Sequence, residues 1–180
     1  MRITYDDDSF TLGDMSEPEW FLLQRLPALA AGEGIDPESR RRLTPDPLDL
    51  PADARAGHEE FLEDWKEYVQ PDLNEAFDSA RKRVLAELED VTETSERLEN
   101  DDDATVYTLK VDRDRTELWY STLNQARLLM NESYDITQLE KEILEDQNGE
   151  AAEDPAKRIL VVQNGFYSFI QSYFLEHLME

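Results

Sequence analysis

The stretch Glu117–Ile136, ELWYSTLNQARLLMNESYDI, places the strongest constraint on the fold. At 100° per residue a helix puts Leu118, Trp119, Leu123, Ala126, Leu129 and Met130 on one wide arc. Tyr120, Asn124, Arg127 and Asn131 then form a stripe largely opposite. The polar residues are therefore patterned. Three readings of that stripe stay open: a solvent face, the edge of a pocket, or hydrogen bonds that tie this helix to its neighbours.

The segments on either side can be read in the same way. ITYDDDSFTL predicts a hairpin of Arg2–Tyr5 with Ser9–Leu12, its turn holding Asp6, Asp7 and Asp8. Three carboxylates in a turn splay outward into solvent, whereas a cation needs about six converging oxygens. Ser16 as N-cap, Pro18 in the first turn and Glu19 closing a capping box predict a helix from Glu17, kinked or ended at Pro27. Residues 32–51 hold two glycines and four prolines and read as a connector, with one short helical turn from Pro37 to Leu43. Arg40, Arg41 and Arg42 are its basic island, expected to pair with local carboxylates.

From Ala52 to Glu99, Phe61, Trp65, Val69, Leu73, Phe77, Ala80, Val84, Leu88 and Val91 recur every three or four residues. Pro71 divides or kinks this helix. Residues 92–104 and 147–153 read as acidic loops, and Thr105–Val111 alternates as a strand. Asp112 or Asp114 is the expected cap of the helix that follows, and Thr137 that of a shorter one. Asp154 and Pro155 open a last helix running through Leu178. On it Ile159, Val162, Phe166, Phe169, Ile170, Tyr173 and Phe174 crowd one side. Gly165, Ser168 and Ser172 form a small-residue stripe on the other, able to admit a second helix closely.

Charge limits the partners. The chain has 43 Asp and Glu against 18 Lys and Arg, a formal net charge of −25. Binding to nucleic-acid phosphates or anionic membranes begins with clustered Lys and Arg, so direct contact with either is disfavoured. No cysteine is present, which removes disulfides, thiolate metal sites and thiol nucleophiles. The first ten residues, MRITYDDDSF, lack the apolar core of a signal peptide, and no apolar run reaches the ~18 residues of a membrane span. The expectation is a cytoplasmic protein.

Motifs for catalysis fail one by one. HEEFL at His58 has Leu62 where a zinc protease needs its second histidine. GEGIDP has Pro37 where a dinucleotide loop needs glycine, no phosphate-cradling Gly-Lys loop occurs, and the Asp112, Asp114 pair lacks the rest of a calcium loop. His58 and His177 are far apart, and His177 lies on the aromatic face of the last helix, where a hydrogen-bonded core histidine is the ordinary case. No catalytic residue, metal or cofactor is assigned. With 43 acids, no sequence rule selects a carboxylate pair.

Arg42, Leu43 and Pro45, followed by Trp119, Leu123, Asn124, Arg127 and Leu128, resemble the signature of an actinobacterial family of unknown function, domain two-zero-one-seven. The order of elements over most of the chain is similar too. Tyr120 stands where the family has leucine, Gln125 where an acid is common, and NESYDI replaces its usual ending. The resemblance implies no activity. The family's gene association with an adaptor of the Clp protease implies a link to protein quality control. It also marks Arg42, Trp119, Tyr120, Asn124 and Arg127 as signature or interaction residues. Asn124 and Arg127 lie one turn apart, and the favoured expectation is a structural lock onto the RRLTP connector or the strand end. The alternative is a pocket shared with Trp119 or Tyr120.

The expected fold is thus an α+β single domain over 1–180, predominantly helical, with about five helices and a small antiparallel sheet of hairpin plus central strand. The leading function is a non-enzymatic interaction or regulatory protein with a protein partner, able to form a homodimer through Phe166, Phe169 and Tyr173. One alternative is an acidic mimic of nucleic acid that sequesters a basic partner. Another is a small-molecule sensor or enzyme that gathers Arg127, Asn124 and Arg42.

Overall fold

A computed structural model describes residues 1–6, 8–44, 47–48, 57–97, 103–145 and 154–178. Strands β1 (Arg2–Asp6) and β2 (Ser9–Met15) form the N-terminal hairpin, with Ile3 opposite Leu12 and Tyr5 opposite Phe10. Ser9 Oγ donates to Asp6 Oδ1 at 2.9 Å across the turn, and Asp7 lies outside the described residues. β3 (Thr92–Arg97) and β4 (Asp103–Asp112) complete an antiparallel sheet of order β1-β2-β4-β3.

The acidic loop expected over 92–104 is therefore corrected: half of it is an edge strand. Thr92 to Ser95 are all exposed, so no apolar alternation marks them. Pairing with β4, Thr92 opposite Thr108, makes them a strand, and charged residues suit an edge. The loop expected over 147–153 lies outside the described residues.

Helix α1 (Glu17–Gln24) starts at the expected capping box, where Glu19 Oε2 accepts from the Ser16 N–H at 2.8 Å and Oγ at 2.9 Å. The chain bends at Arg25 into α2 (Leu26–Ala30), with Pro27 in its first turn. In the connector, α3 (Pro37–Arg40) runs into a 3-10 turn, Arg41–Leu43, capped by the Asp36 carboxylate. The long helical pattern divides into α4 (Glu59–Asp64), a π-helical turn at Trp65–Val69, and α5 (Gln70–Leu88). Pro71 has no N–H to offer the preceding turn, and the wider turn sits just ahead of it. Of the apolar stripe, only Ala80, Val84 and Leu88 reach the core, while Phe61 stays 49% exposed.

A second 3-10 turn, Arg113–Arg115, leads into α6 (Thr116–Tyr134), so neither Asp112 nor Asp114 caps that helix. α6 ends at Asp135, which takes the left-handed conformation at φ 46°, and α7 (Ile136–Glu145) follows at once. Asp135 Oδ1 accepts from the Gln138 N–H at 3.3 Å and does the work expected of Thr137. Asp154 caps α8 (Pro155–Leu178), one continuous helix, by accepting from the Ala156 N–H at 2.9 Å.

α6 is the central helix, packed by α2, α5, α7 and α8. Trp119, Leu123, Ala126, Leu129 and Met130 are fully buried, and the inner sheet residues Phe10, Leu12, Leu109 and Val111 close the core. Each such large side chain contributes roughly 1.5–3 kcal/mol. The inward face of α8 is Gln163, Tyr167, Ile170, Gln171 and Phe174. This corrects the expected arc: Ile159, Val162 and Phe169 are 52%, 61% and 52% exposed. Tyr167 replaces them in the core because its hydroxyl finds partners there, donating to the Leu22 carbonyl at 2.7 Å and accepting from Gln163 Nε2 at 2.9 Å. His177 is half-buried at the edge of the core, stacked on Tyr173 with centroids 4.6 Å apart and in contact with the Tyr173 carbonyl at 2.9 Å.

The indole of Trp119 must also place its N–H, and it donates to Glu87 Oε2 on α5 at 2.6 Å. Burial pushes the Glu87 carboxyl above its ordinary value despite that bond. A raised folded-state value means stability is present below the unfolded value of 4.5 and is lost as pH rises through the folded one. Glu87→Gln keeps an acceptor for the indole and should remove this pH dependence without lowering stability at neutral pH. Glu87→Leu strands the indole N–H and should cost about 1–3 kcal/mol. Thermal melts of both variants across pH 4 to 8 check this.

A polar cleft among three helices as candidate functional site

The polar stripe of α6 is only partly in solvent: Tyr120, Asn124 and Arg127 are half-buried and Asn131 is exposed. With α7 and α8 it encloses a cleft of about 650 Å³. Asn124, Arg127 and Asn131 supply one wall, Thr137 and Glu140 of α7 a second, and Asn164, Ser168 and Ser172 of α8 the third. Gly165 and Phe169 edge it on α8. The small-residue stripe of α8 thus borders a cavity where a closely packed helix was expected.

Hydrogen bonds hold all three walls. Arg127 Nη1 donates to Gln171 Oε1, and Gln171 Nε2 donates to Asn124 Oδ1 at 3.4 Å. Asn131 Oδ1 accepts from the Thr137 N–H at 3.3 Å and its hydroxyl at 3.0 Å, fixing the α6–α7 corner. Asn164 Nδ2 donates to Glu140 Oε1 at 3.3 Å and joins α8 to α7. The cleft is therefore pre-formed, which lowers the ordering cost of filling it.

Arg127 is the unusual member. In a chain with 43 acids it has no carboxylate within ion-pairing distance among the described residues. Its Nε is buried without any hydrogen-bond partner among the described residues. A guanidinium offers five N–H donors in a planar fork, and among the described residues only one is used here. Such an arrangement can receive an oxyanion with charge-assisted hydrogen bonds. Glu140, the other ionisable group on the lining, is already engaged by Asn164.

The signature residues separate in space. Asn124 and Arg127 meet in the cleft, but their partner is Gln171 of α8, which corrects the expected lock onto the RRLTP connector or strand end. Trp119 is buried with its N–H on α5, and Tyr120 is half-buried outside the cleft lining. Arg42 is exposed on the 3-10 turn and contributes nothing to the cleft. Arg41 and Arg42 form no ion pair among the described residues, while Arg40 Nε donates to the Ile35 carbonyl at 3.0 Å. Phe166 and Tyr173 pack partly buried on the core, and only Phe169 of that trio is largely exposed. Gln171 was not legible beforehand: it sits between the core residues Ile170 and Phe174, and its role depends on what α6 places opposite.

Gly165 sits in the middle of α8, where glycine costs about 0.8–1.0 kcal/mol relative to alanine. A Cβ there would meet nothing within 4 Å. Nothing inside the described chain accounts for its small size.

Arg127→Ala leaves the buried Gln171 carbonyl without its donor, and a loss of about 1–3 kcal/mol is expected. Gln171→Glu gives Arg127 the charged acceptor it lacks and should raise the melting temperature. Chemical denaturation of the two variants against wild type checks both signs.

Among the described residues, no group of three or more His, Asp or Glu is placed to hold a metal ion. No described helix is long and apolar enough to cross a membrane. No curated protein and no solved structure matches the chain. A family model described as Domain of unknown function (DUF2017) matches residues 6–178, and the chain belongs to that family.

Proposed function

We propose that this chain is a non-enzymatic regulatory protein of the bacterial cytoplasm that acts by binding, with the α6–α7–α8 cleft as its recognition site. The observation that carries the reading is Arg127, a cation placed in a pre-formed polar cleft with, among the described residues, no ion pair and no partner for its buried Nε. The lining of amides, hydroxyls and one guanidinium suits holding a ligand by hydrogen bonds. The ligand class this chemistry fits is a small molecule or chain end bearing a carboxylate or phosphate, with Asn124 and Ser168 as neutral donors and acceptors around it. The net charge of −25 repels anions in general, so selectivity for this one position rests on the local fork of donors.

A set of small carboxylates and phosphates, from succinate and citrate to inorganic phosphate, tests the reading by thermal shift. At about a hundred times its dissociation constant, a ligand of the folded state stabilises by about 2.7 kcal/mol. The expected result is a saturable rise for at least one member in wild type, absent in Arg127→Met and in Gln171→Glu. Equal responses in wild type and variants, or saturable turnover of a substrate by the purified chain, would overturn it.

A further inference from the structure

We propose that a second copy of this chain docks antiparallel along α8, through a stripe that complements itself. Arg158, Val162, Gly165, Phe169, Ser172 and Glu176 recur at alternating spacings of four and three, the period of a two-helix seam. All six are exposed, in contrast to the buried Gln163, Tyr167, Ile170 and Phe174 on the inward face. The stripe lies on the exposed side of α8, bordered by the polar cleft on one flank and by the groove against α1 on the other.

Its order names the occupant. Pairing two such helices antiparallel about Tyr167 sets Arg158 against Glu176, Val162 against Ser172 and Gly165 against Phe169. Opposite charges meet at both ends, and in the middle an aromatic ring meets the one position with no side chain. A two-fold axis produces each contact twice, as an isologous dimer requires. A parallel pairing would instead set Arg158 on Arg158 and Phe169 on Phe169. Neither Arg158 nor Glu176 has an ion-pair partner among the described residues.

Two further observations agree. Gly165 interrupts a long helix with open space around it, so a contact outside the chain gives its size a purpose. α8 carries Lys157, paired with Glu142 of α7, and Arg158 against the single acid Glu176, so like-charge repulsion between two copies of a chain of net charge −25 is weaker along this helix than over the acidic remainder. The C-terminal turn of the second α8 then reaches an apolar groove of about 420 Å³ between α1 and α8, where Phe21 and Ile159 are 55% and 52% exposed. Because Gly165, Phe169 and Ser172 also edge the polar cleft, dimerisation and occupancy of the cleft would be linked. The pairing rests on the stripe alone and is proposed whether or not the cleft takes an anion.

Sedimentation velocity of the full chain at about 100 µM detects a dissociation constant of that order. Wild type should sediment as a dimer. Arg158→Glu and Glu176→Arg should each weaken the dimer at least tenfold, and the two together should restore it. Gly165→Leu should give a monomer that melts no lower than wild type, which separates lost docking from lost folding. A monomeric wild type, a trimer or larger species, single reversals without effect, or a double reversal that fails to restore association would each overturn the proposal.

Discussion

Enclosure of α6 is the constraint on which the rest depends. A helix covered by α2, α5, α7 and α8 leaves Glu117 and Glu132 in solvent but buries other polar side chains, which need an answering neighbour. Trp119 is answered by Glu87 of α5, Gln125 by Arg81 of the same helix at 2.6 Å, Arg127 by Gln171 of α8, and Asn131 by Thr137 of α7. These contacts fix the rotation of α6 and set which neighbour each face meets. The answering is incomplete at three buried atoms of α6 among the described residues, Thr116 Oγ1, Arg127 Nε and Ser133 Oγ, and of these residues only Arg127 lines the cleft. Arg127 Nε is left without a partner among the described residues while the residue lines the cleft, and the proposed anion-binding role rests on that combination.

Much of this was legible because local chemistry dictated it. Ser16, Pro18 and Glu19 specify a helix start whatever packs around them, and Asp154 with Pro155 does the same for α8. The hairpin follows from apolar residues flanking an Asp-rich break, and the helical turn at 37–43 from Asp36 and Pro37. What failed was set by tertiary context. TETSER has no apolar face of its own, and β4 alone makes it a strand. The inward arc of α8 was misplaced because aromatic residues occur on two sides of that helix, and periodicity cannot say which side is covered.

The same ambiguity governed the site. Asn124 and Arg127 were visible as a pair on one face of α6, but Gln171, Glu140 and Asn164 lie far away in sequence and only folding assembles them. Arg42 entered through the family signature and ends on an exposed turn, so membership in a family does not place every signature residue in one site. The acidic surface and the cleft then have separate roles. The net charge of −25 repels anions and further copies of the chain over most of the molecule, which is why the proposals rest on the cleft and the outer face of α8, where Arg127 and Arg158 stand.

The central claim, that Arg127 holds an unspent donor for a ligand, is read most directly from the NMR resonance of its Nε–H. A buried Nε should give a signal protected from solvent exchange, absent in Arg127→Lys, which moves in a saturable way as a small carboxylate or phosphate is titrated. A signal that exchanges freely with water and is unmoved by every such anion would contradict the account.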